Sequence, residues 1–460
     1  MLSTHSKTFQ DFYAMTPQQR FNNLFSAIKN THNYHYQNNF AYRTSVNAKG
    51  VGKQISEQDL VRILRPTSQV FKSYIDILGT SFPQDKPKEF LEWLQANISI
   101  QLPQIPNSQL KSHYRTLEEF LSFLERNYYD LGVEIGTSSG TTGRATIMVH
   151  HKLSADKAAE AYQLSVYSLW GTFNQHQFIF VMPSETRIVM ARIARTATAR
   201  LGLGTRTHFT IPFSATPDQV RIRSGRLFEP GFKGKIEQRI LHPFMVWMNE
   251  NYVKSKYVNL TIDQLEKHAK SKENILLFGG FIQLHHIYQG LVERGYTSNQ
   301  TKLSFGNESI IGTGGGMKEQ YPFTTLQIIQ DLQSILQLEN GQQIPHRDVY
   351  GMAEANWAAG QCKKGNYHIP PWVLTAIVNE EDQIVESSSA TGLLAFYDPL
   401  TDMGLYPHFY KTADRVTLVN GWKNTQEANR CPCGHSTAYL LKDSISRQDR
   451  LDEAGCAGQI

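Results

Sequence analysis

The sequence predicts an α/β fold: mostly parallel sheets covered by helices, with a small β-rich subdomain toward the C-terminus. Three observations predict it. From about residue 131, strand-like apolar runs alternate with helical stretches, and such alternation implies parallel strands joined by covering helices. After residue 370 the apolar runs shorten to hairpin length, as in Leu393–Tyr397 and Val416–Val419. Between two strand-like segments lies a run that cannot be a core element, Gly136-Thr-Ser-Ser-Gly-Thr-Thr-Gly-Arg-Ala-Thr146.

The first 130 residues read as mainly helical and packed on the core. Phe90-Leu91-x-x-Leu94 and Leu117-x-x-Phe120-Leu121-x-Phe123-Leu124 have amphipathic helical spacing, and Pro103 and Pro106 break the chain between them. Residues 131–370 form the α/β core, with strands at Phe178–Met182, Ile275–Phe278 and Ser309–Gly312. Helices are expected at Leu153–Leu169 and Phe281–Arg294. Residues 371–446 form the β-rich subdomain, and 447–460 a hinge remnant and tail.

Composition narrows the class. A chain of 460 residues accommodates two or three domains and a large core. Its formal net charge of +5 is small for this length, and the Lys and Arg residues are dispersed. Neither nucleic acid nor an anionic membrane is called for. The N-terminus lacks the layout of a secretion signal, and no apolar run is long enough to span a bilayer. Four cysteines in such a length are no disulfide framework. The expectation is a cytoplasmic protein.

The run at 136–146 carries the most chemistry. Glycines permit positive φ and close approach of a ligand, and exposed N–H groups interleaved with hydroxyls form a nest suited to phosphate oxygens. The strand-like Ile147-Met148-Val149 follows, so the loop joins two strands. A Walker loop is excluded: counting from Gly136, its second glycine falls on Thr141, and no Lys-Ser/Thr pair follows. Gly136-Thr-Ser138-Ser-Gly140 does satisfy a nucleophile elbow, but an elbow runs strand, serine, helix. A serine hydrolase using Ser138 is therefore the alternative. A non-catalytic nucleotide-binding protein is a third.

Further segments follow in order. Gly312-Thr-Gly314-Gly315-Gly316-Met-Lys318 ends a strand in a glycine cluster where a flat ring or carboxylate can lie on the backbone; its glycines are misplaced for a dinucleotide fingerprint. Asp348-Val-Tyr350-Gly351-Met-Ala-Glu354 offers an aromatic to stack a base and a carboxylate for Mg²⁺. Tyr410-Lys-Thr-Ala-Asp414-Arg offers a carboxylate able to accept both hydroxyls of a ribose. In isolation Asp414 reads equally as a turn cap or surface ion pair. Cys362 and His368 with Cys431 and Cys433 supply three thiols and an imidazole, a donor set suited to tetrahedral Zn²⁺ of structural type; His435 is a rival ligand.

Taken together, these segments resemble the adenylate-forming superfamily of acyl-CoA synthetases, peptide-synthetase adenylation domains and luciferases. The branch they are most similar to holds phenylacetate–CoA ligase and the acyl-protein synthetase of bacterial bioluminescence, with its Cys…Gly-x-His and Cys-x-Cys-Gly segments. The resemblance covers roughly residues 131 to 450. It implies the large N-terminal domain of that superfamily and ATP-dependent formation of an acyl-adenylate with release of pyrophosphate. Ser138, Ser139, Gly140, Thr141, Thr142 and Gly143 would wrap the ATP phosphates, and Gly314, Gly315 and Gly316 would line the adenine and the acyl carboxylate. Tyr350, beside Gly351, would stack on adenine, Glu354 would ligate Mg²⁺, and Asp414 would hold the ribose with Arg447 nearby at the hinge. Ser446 replaces the glycine usual before the hinge arginine. The C-terminal lid domain and its lysine are expected to be absent, so Lys318 is expected to supply the missing positive charge. Cys456 is placed as an acyl-accepting thiol; the other acceptors implied are a carrier protein, a partner enzyme, coenzyme A or an amine.

Overall fold

The computed structural model describes residues 8–138, 146–171, 173–298, 301–316, 321–401, 404–423 and 425–447, the side chains of Tyr167 and Arg447 aside. The chain divides into two compact units. One is built on Trp170–Gly351; the other combines Met1–Gly136, Thr146–Leu169 and Met352–Asp449.

The Trp170–Gly351 unit is a run of β–helix repeats. Its strands are β1 (Gln177–Pro183), β2 (Thr207–Ile211), β3 (Ile275–Gly279), β4 (Ile310–Gly314) and β5 (His346–Gly351). They lie in the order β2-β1-β3-β4-β5, every pair parallel. The helices Val189–Arg200, Lys254–Lys270, Phe281–Glu293 and Thr325–Ile335 each precede the next strand. Parallel strands buried on both faces read as continuous apolar runs, and β1 is buried at every position from Phe178 to Pro183. Ile179, Val181, Leu277 and Ile311 pack with Ile262, Leu284, Ile287, Leu291, Ile328 and Leu332 of the helices in one core. The strands and helices anticipated at 178–182, 275–278, 309–312 and 281–294 are all present, within two residues at each end.

The other unit is largely antiparallel. Its strands run in the order Leu374–Val378, Ser389–Asp398, His408–Val419, Tyr439–Leu440, Tyr367–His368 and Ala358–Gln361. The two central strands, of 10 and 12 residues, exceed the apolar runs visible in sequence. Polar stretches at Ser389–Gly392 and Lys411–Arg415 continue the ladder, because backbone pairing extends beyond the part of a strand that is buried on one face. The N-terminal segment is woven into this sheet. Arg65–Pro66 adds a short parallel strand on Tyr410–Lys411, Tyr397 Oη donates to the Leu60 carbonyl at 2.9 Å, and Ser99 N–H donates to the Leu405 carbonyl at 3.0 Å. The helices Pro87–Asn97 and Leu117–Asn127 contribute Phe90, Trp93, Leu94, Phe120, Leu121 and Leu124 to its interior. Among the described residues, no helix is long and apolar enough to cross a membrane.

Between β2 and β3 the chain is helical from Gly231 to Lys270, with π turns at Glu237–Leu241 and Asn249–Val253. A buried ion pair fastens its start. Arg221 donates through Nη1 to Glu237 Oε2 at 2.8 Å and through Nη2 to Oε1 at 2.6 Å, and the Glu229 N–H donates to the same carboxylate. Burial raises the Glu237 pKa, but the Arg221 fork and the Glu229 N–H outweigh it and hold the carboxyl below its ordinary value. A carboxyl depressed in the native state adds stability that is complete above its unfolded pKa and is lost as pH falls through the native value. Glu237→Gln should therefore cost about 3 kcal/mol at pH 7, because buried Arg221 loses its bidentate charge partner and keeps only the longer contact with Glu229, at 3.7 Å. That difference should hold above about pH 5 and narrow below about pH 4. Thermal unfolding of both proteins across this range checks it; a gap that does not depend on pH contradicts the assignment.

Candidate functional site

The loop at 136–146 joins two strands, as the sequence implied. Val133–Thr137 and Ile147–His151 pair with each other in a two-stranded sheet. Because a strand follows the loop, the strand–serine–helix order of a nucleophile elbow is not met. Ser138 is half-buried; Ser139, Gly140, Thr141, Thr142 and Gly143 lie outside the described residues, as do Lys318 and Cys456.

In open parallel sheets, ligands collect at the carboxyl ends of the strands. In the Trp170–Gly351 unit, two neighbouring strands end there in glycine. Gly314 closes β4 and pairs in register with Val349 of β5, which itself closes on Tyr350 and Gly351. Gly315 and Gly316 take φ of 92° and 62°, a region that disfavours side chains, and Gly316 is exposed. A Cβ on Gly314 would already stand 3.3 Å from the Phe278 ring.

Beneath that turn lies a polar relay that sequence reasoning missed. Thr313 Oγ1 donates to Asp348 Oδ1 at 2.6 Å and lies 2.8 Å from His346 Nε2. The hydroxyl has one proton and gives it to the carboxylate, so His346 is the donor in the second bond. Burial, with Arg347 alongside, lowers the His346 pKa to about 4, so the ring is neutral at physiological pH. The available signal was a His and an Asp two residues apart on one strand, hence on one face.

In the second unit, Glu354 is half-buried in the turn Met352–Ala355, closed by the Ala355 N–H on the Met352 carbonyl at 3.2 Å. Asp414 occupies a disruption of the ladder. Leu393 pairs with Arg415 and Ala395 with Lys411, so the single residue Leu394 faces three, Thr412 to Asp414. Such bulges bend a strand and re-aim a side chain. The Thr412 hydroxyl stabilises this one, donating to the Leu394 carbonyl at 2.9 Å while accepting from the Asp414 N–H at 3.1 Å. Directly opposite Asp414, across an antiparallel pair, is Arg447 of the strand Ser446–Arg447.

The same unit gathers Cys362, His368, Cys431 and Cys433, whose donor atoms all lie within 4.8 Å of one another. The Sγ atoms of Cys362 and Cys431 are 3.9 Å apart. Two thiolates on a tetrahedral Zn²⁺ at about 2.3 Å would be roughly 3.8 Å apart. His368 Nδ1 meets Thr437 Oγ1 at 2.9 Å, leaving Nε2 facing Cys433 Sγ at 3.2 Å. Fixing one ring nitrogen on an outer partner is how proteins orient a ligating imidazole. Asn366 Nδ2 donates to Cys431 Sγ at 3.4 Å. Burial, with His435 nearby, lowers the His368 pKa to about 3, and burial with the neighbouring thiols pushes Cys433 up to about 12. Three thiols this close cannot ionise together without a cation. His435 lies outside the donor set; its ring engages the Ser168 backbone.

Comparison with known proteins defines the class. The fold is that of the adenylate-forming ligases. It matches 2-hydroxyisobutyryl-CoA ligase with 2-HIB-AMP and CoA in the thioesterification state (TM-score 0.57, 12% identity, 96% of this chain and 71% of that one). The open conformation of that ligase gives a TM-score of 0.55 at 13% identity, over 97% of this chain and 79% of the other. Its postadenylation state gives 0.57 at 12%, over 96% and 72%. Residues 240–460 match the family described as acyl-protein synthetase, LuxE. The chain thus shares the fold of these ligases, and a little under half of it, residues 240–460, carries the acyl-protein synthetase pattern. No curated protein matches it by sequence.

Proposed function

We propose that the protein activates a carboxylic acid with ATP and Mg²⁺ and then transfers the acyl group to a thiol. In the first step a carboxylate oxygen attacks the α-phosphorus of ATP; the bond to the bridging oxygen breaks and pyrophosphate leaves. The observation that carries this reading is the pair of adjacent strands ending at Gly314 and Gly351 on the carboxyl edge of a parallel sheet, in a chain with this fold. The task of such a site is to neutralise phosphoryl charge and align the attacking oxygen. Ser138, Ser139, Gly140, Thr141, Thr142 and Gly143 cradle the phosphates, with Lys318 adding positive charge. Gly314, Gly315 and Gly316 lie against the adenine and the acyl carboxylate, and Tyr350 stacks on the base beside Gly351. Glu354 holds Mg²⁺, and Asp414 accepts the ribose hydroxyls near Arg447. Cys362, His368, Cys431 and Cys433 hold a structural Zn²⁺, with no position left open for substrate. A ligase of this fold holds both an acyl-AMP and CoA, which supports a thiol acceptor: Cys456, a carrier protein, a partner enzyme or CoA.

Exchange of radiolabelled pyrophosphate into ATP, screened over fatty, aromatic and amino acids, tests the first step. At least one acid should drive exchange well above the acid-free control. An entirely silent panel removes the reading. With that acid in hand, Cys456→Ala should keep the exchange and lose hydroxylamine-labile labelling of the protein.

A further inference from the structure

A row of large apolar side chains points into solvent from the helical segment that follows Gly231. Phe232, Ile240, Phe244, Trp247 and Tyr252 are 78%, 60%, 54%, 59% and 54% exposed. With the half-buried Ile236, the row from Phe232 to Trp247 has intervals of four, four, four and three residues. A four-residue interval drifts by about 40° per step on a regular α-helix. The wider turn at Glu237–Leu241 takes back part of that drift and keeps the row on one face. From Phe232 to Trp247 the row is about 22 Å long at 1.5 Å per residue. Phe244 and Trp247 stack on each other, with ring centroids 6.2 Å apart.

The opposite face is fastened at its start. Glu237 is bound by Arg221, and a Cβ on Gly234 would overlap the Glu229 carbonyl, so the helix is seated against the turn that precedes it. Around the row, Lys235, Arg239 and Lys256 are exposed and form no ion pair among the described residues. Between Gly231 and Lys256 the exposed acid is Glu250, since Glu237 is buried with Arg221; further on, the exposed Asp263 pairs with Arg294. These three cations, scattered along the sequence, thus flank one apolar face.

We propose that this face docks on an anionic lipid surface, with the aromatic side chains at headgroup depth and Lys235, Arg239 and Lys256 against lipid phosphates. A helix with Trp and Phe on one side and flanking Lys and Arg lies in the plane of such an interface. The complementary charge selects this occupant. A second copy meeting it through the same face would bring the same cations and only Glu250 to pair with them. A protein partner gains most from pockets that take up anchors, whereas this face is a convex row of tips.

The test is co-sedimentation of the full chain with vesicles of equal parts phosphatidylglycerol and phosphatidylcholine, beside vesicles of phosphatidylcholine alone. Partition should be about tenfold higher on the anionic vesicles and fall at high salt. Phe244→Ser with Trp247→Ser, and separately Lys235→Glu with Arg239→Glu, should each lower it by about tenfold with the thermal midpoint unchanged. Every side chain altered is at the surface, so the two variants report on docking by independent chemistry. Failure to sediment with anionic vesicles overturns the proposal, as does equal binding by the variants. So does a concentration-dependent dimer, seen by light scattering, that the aromatic variant abolishes; that outcome assigns the face to a second copy.

Discussion

Exchanging Cys431 for alanine should lower the zinc content of the purified protein from about one equivalent per chain to a small fraction and destabilise the unit that holds the proposed site. The four donors come from two stretches of chain, 362–368 and 431–433, which only the folded sheet brings within 4.8 Å. A metal bound there and not in the unfolded chain contributes its binding energy to folding. Loss of a structural metal is among the few single-site changes that reach about 3–5 kcal/mol. For a unit of this size that is a fall of about 10 °C in thermal midpoint. Removing Cys431 also opens a small hole, so the control is a strong chelator: it should lower the wild-type midpoint by a similar amount and leave the variant where it is. If metal analysis finds no zinc in the wild type, the donors are a cluster of reduced thiols and the variant loses only a sulfur atom.

Asp414→Ala should reduce acid-dependent ATP–pyrophosphate exchange by about 10²–10³-fold. Two hydrogen bonds from ribose hydroxyls to a carboxylate are charge-assisted, each contributing about 1.5–3 kcal/mol. Losing them together, with some replacement by water, leaves a deficit of about 3–4 kcal/mol, which is that rate factor. Because the bulge at Thr412–Asp414 is made by backbone and by Thr412, the fold should tolerate the change and the thermal midpoint should stay close to wild type. Asp414→Asn keeps one acceptor oxygen and should fall between. Normal exchange in the alanine variant returns Asp414 to the role of a strand residue paired with Arg447.

How much of this the sequence disclosed depends on the kind of signal. The parallel strands were legible because burial on both faces writes a continuous apolar run, and Gly314–Gly316 and Gly351 stood out at their ends. The thiol–imidazole cluster was legible despite its separation, since few chemistries other than metal binding bring three thiols and an imidazole together. The bulge that distinguishes Asp414 was not, because it is a mismatch between two strands and neither carries its mark alone. The strand Arg65–Pro66 is too short for any period to register. The Thr313–His346–Asp348 relay needed the register of β4 on β5. Helical periodicity identifies an apolar face without saying where it points. At Leu117–Asn127 that face is buried; at Phe232–Trp247 it is turned to solvent.

The interleaving of Met1–Gly136 with Met352–Asp449 has a consequence for synthesis in the cell. The N-terminal segment leaves the ribosome ahead of the sheet it joins, carrying Leu60, Arg65 and Phe71, which meet Tyr397, Tyr410 and the ring of Tyr406 in the folded unit. The strands it packs against, Ser389–Asp398 and His408–Val419, are made more than 300 residues later. At about 5–20 residues per second, those side chains wait for tens of seconds. The β–helix repeats of Trp170–Gly351 can close as they emerge, since each strand neighbours one already made. A nascent chain of this protein therefore holds a folded middle while part of its N-terminal segment still lacks the strands it packs on, until residues 389–419 arrive.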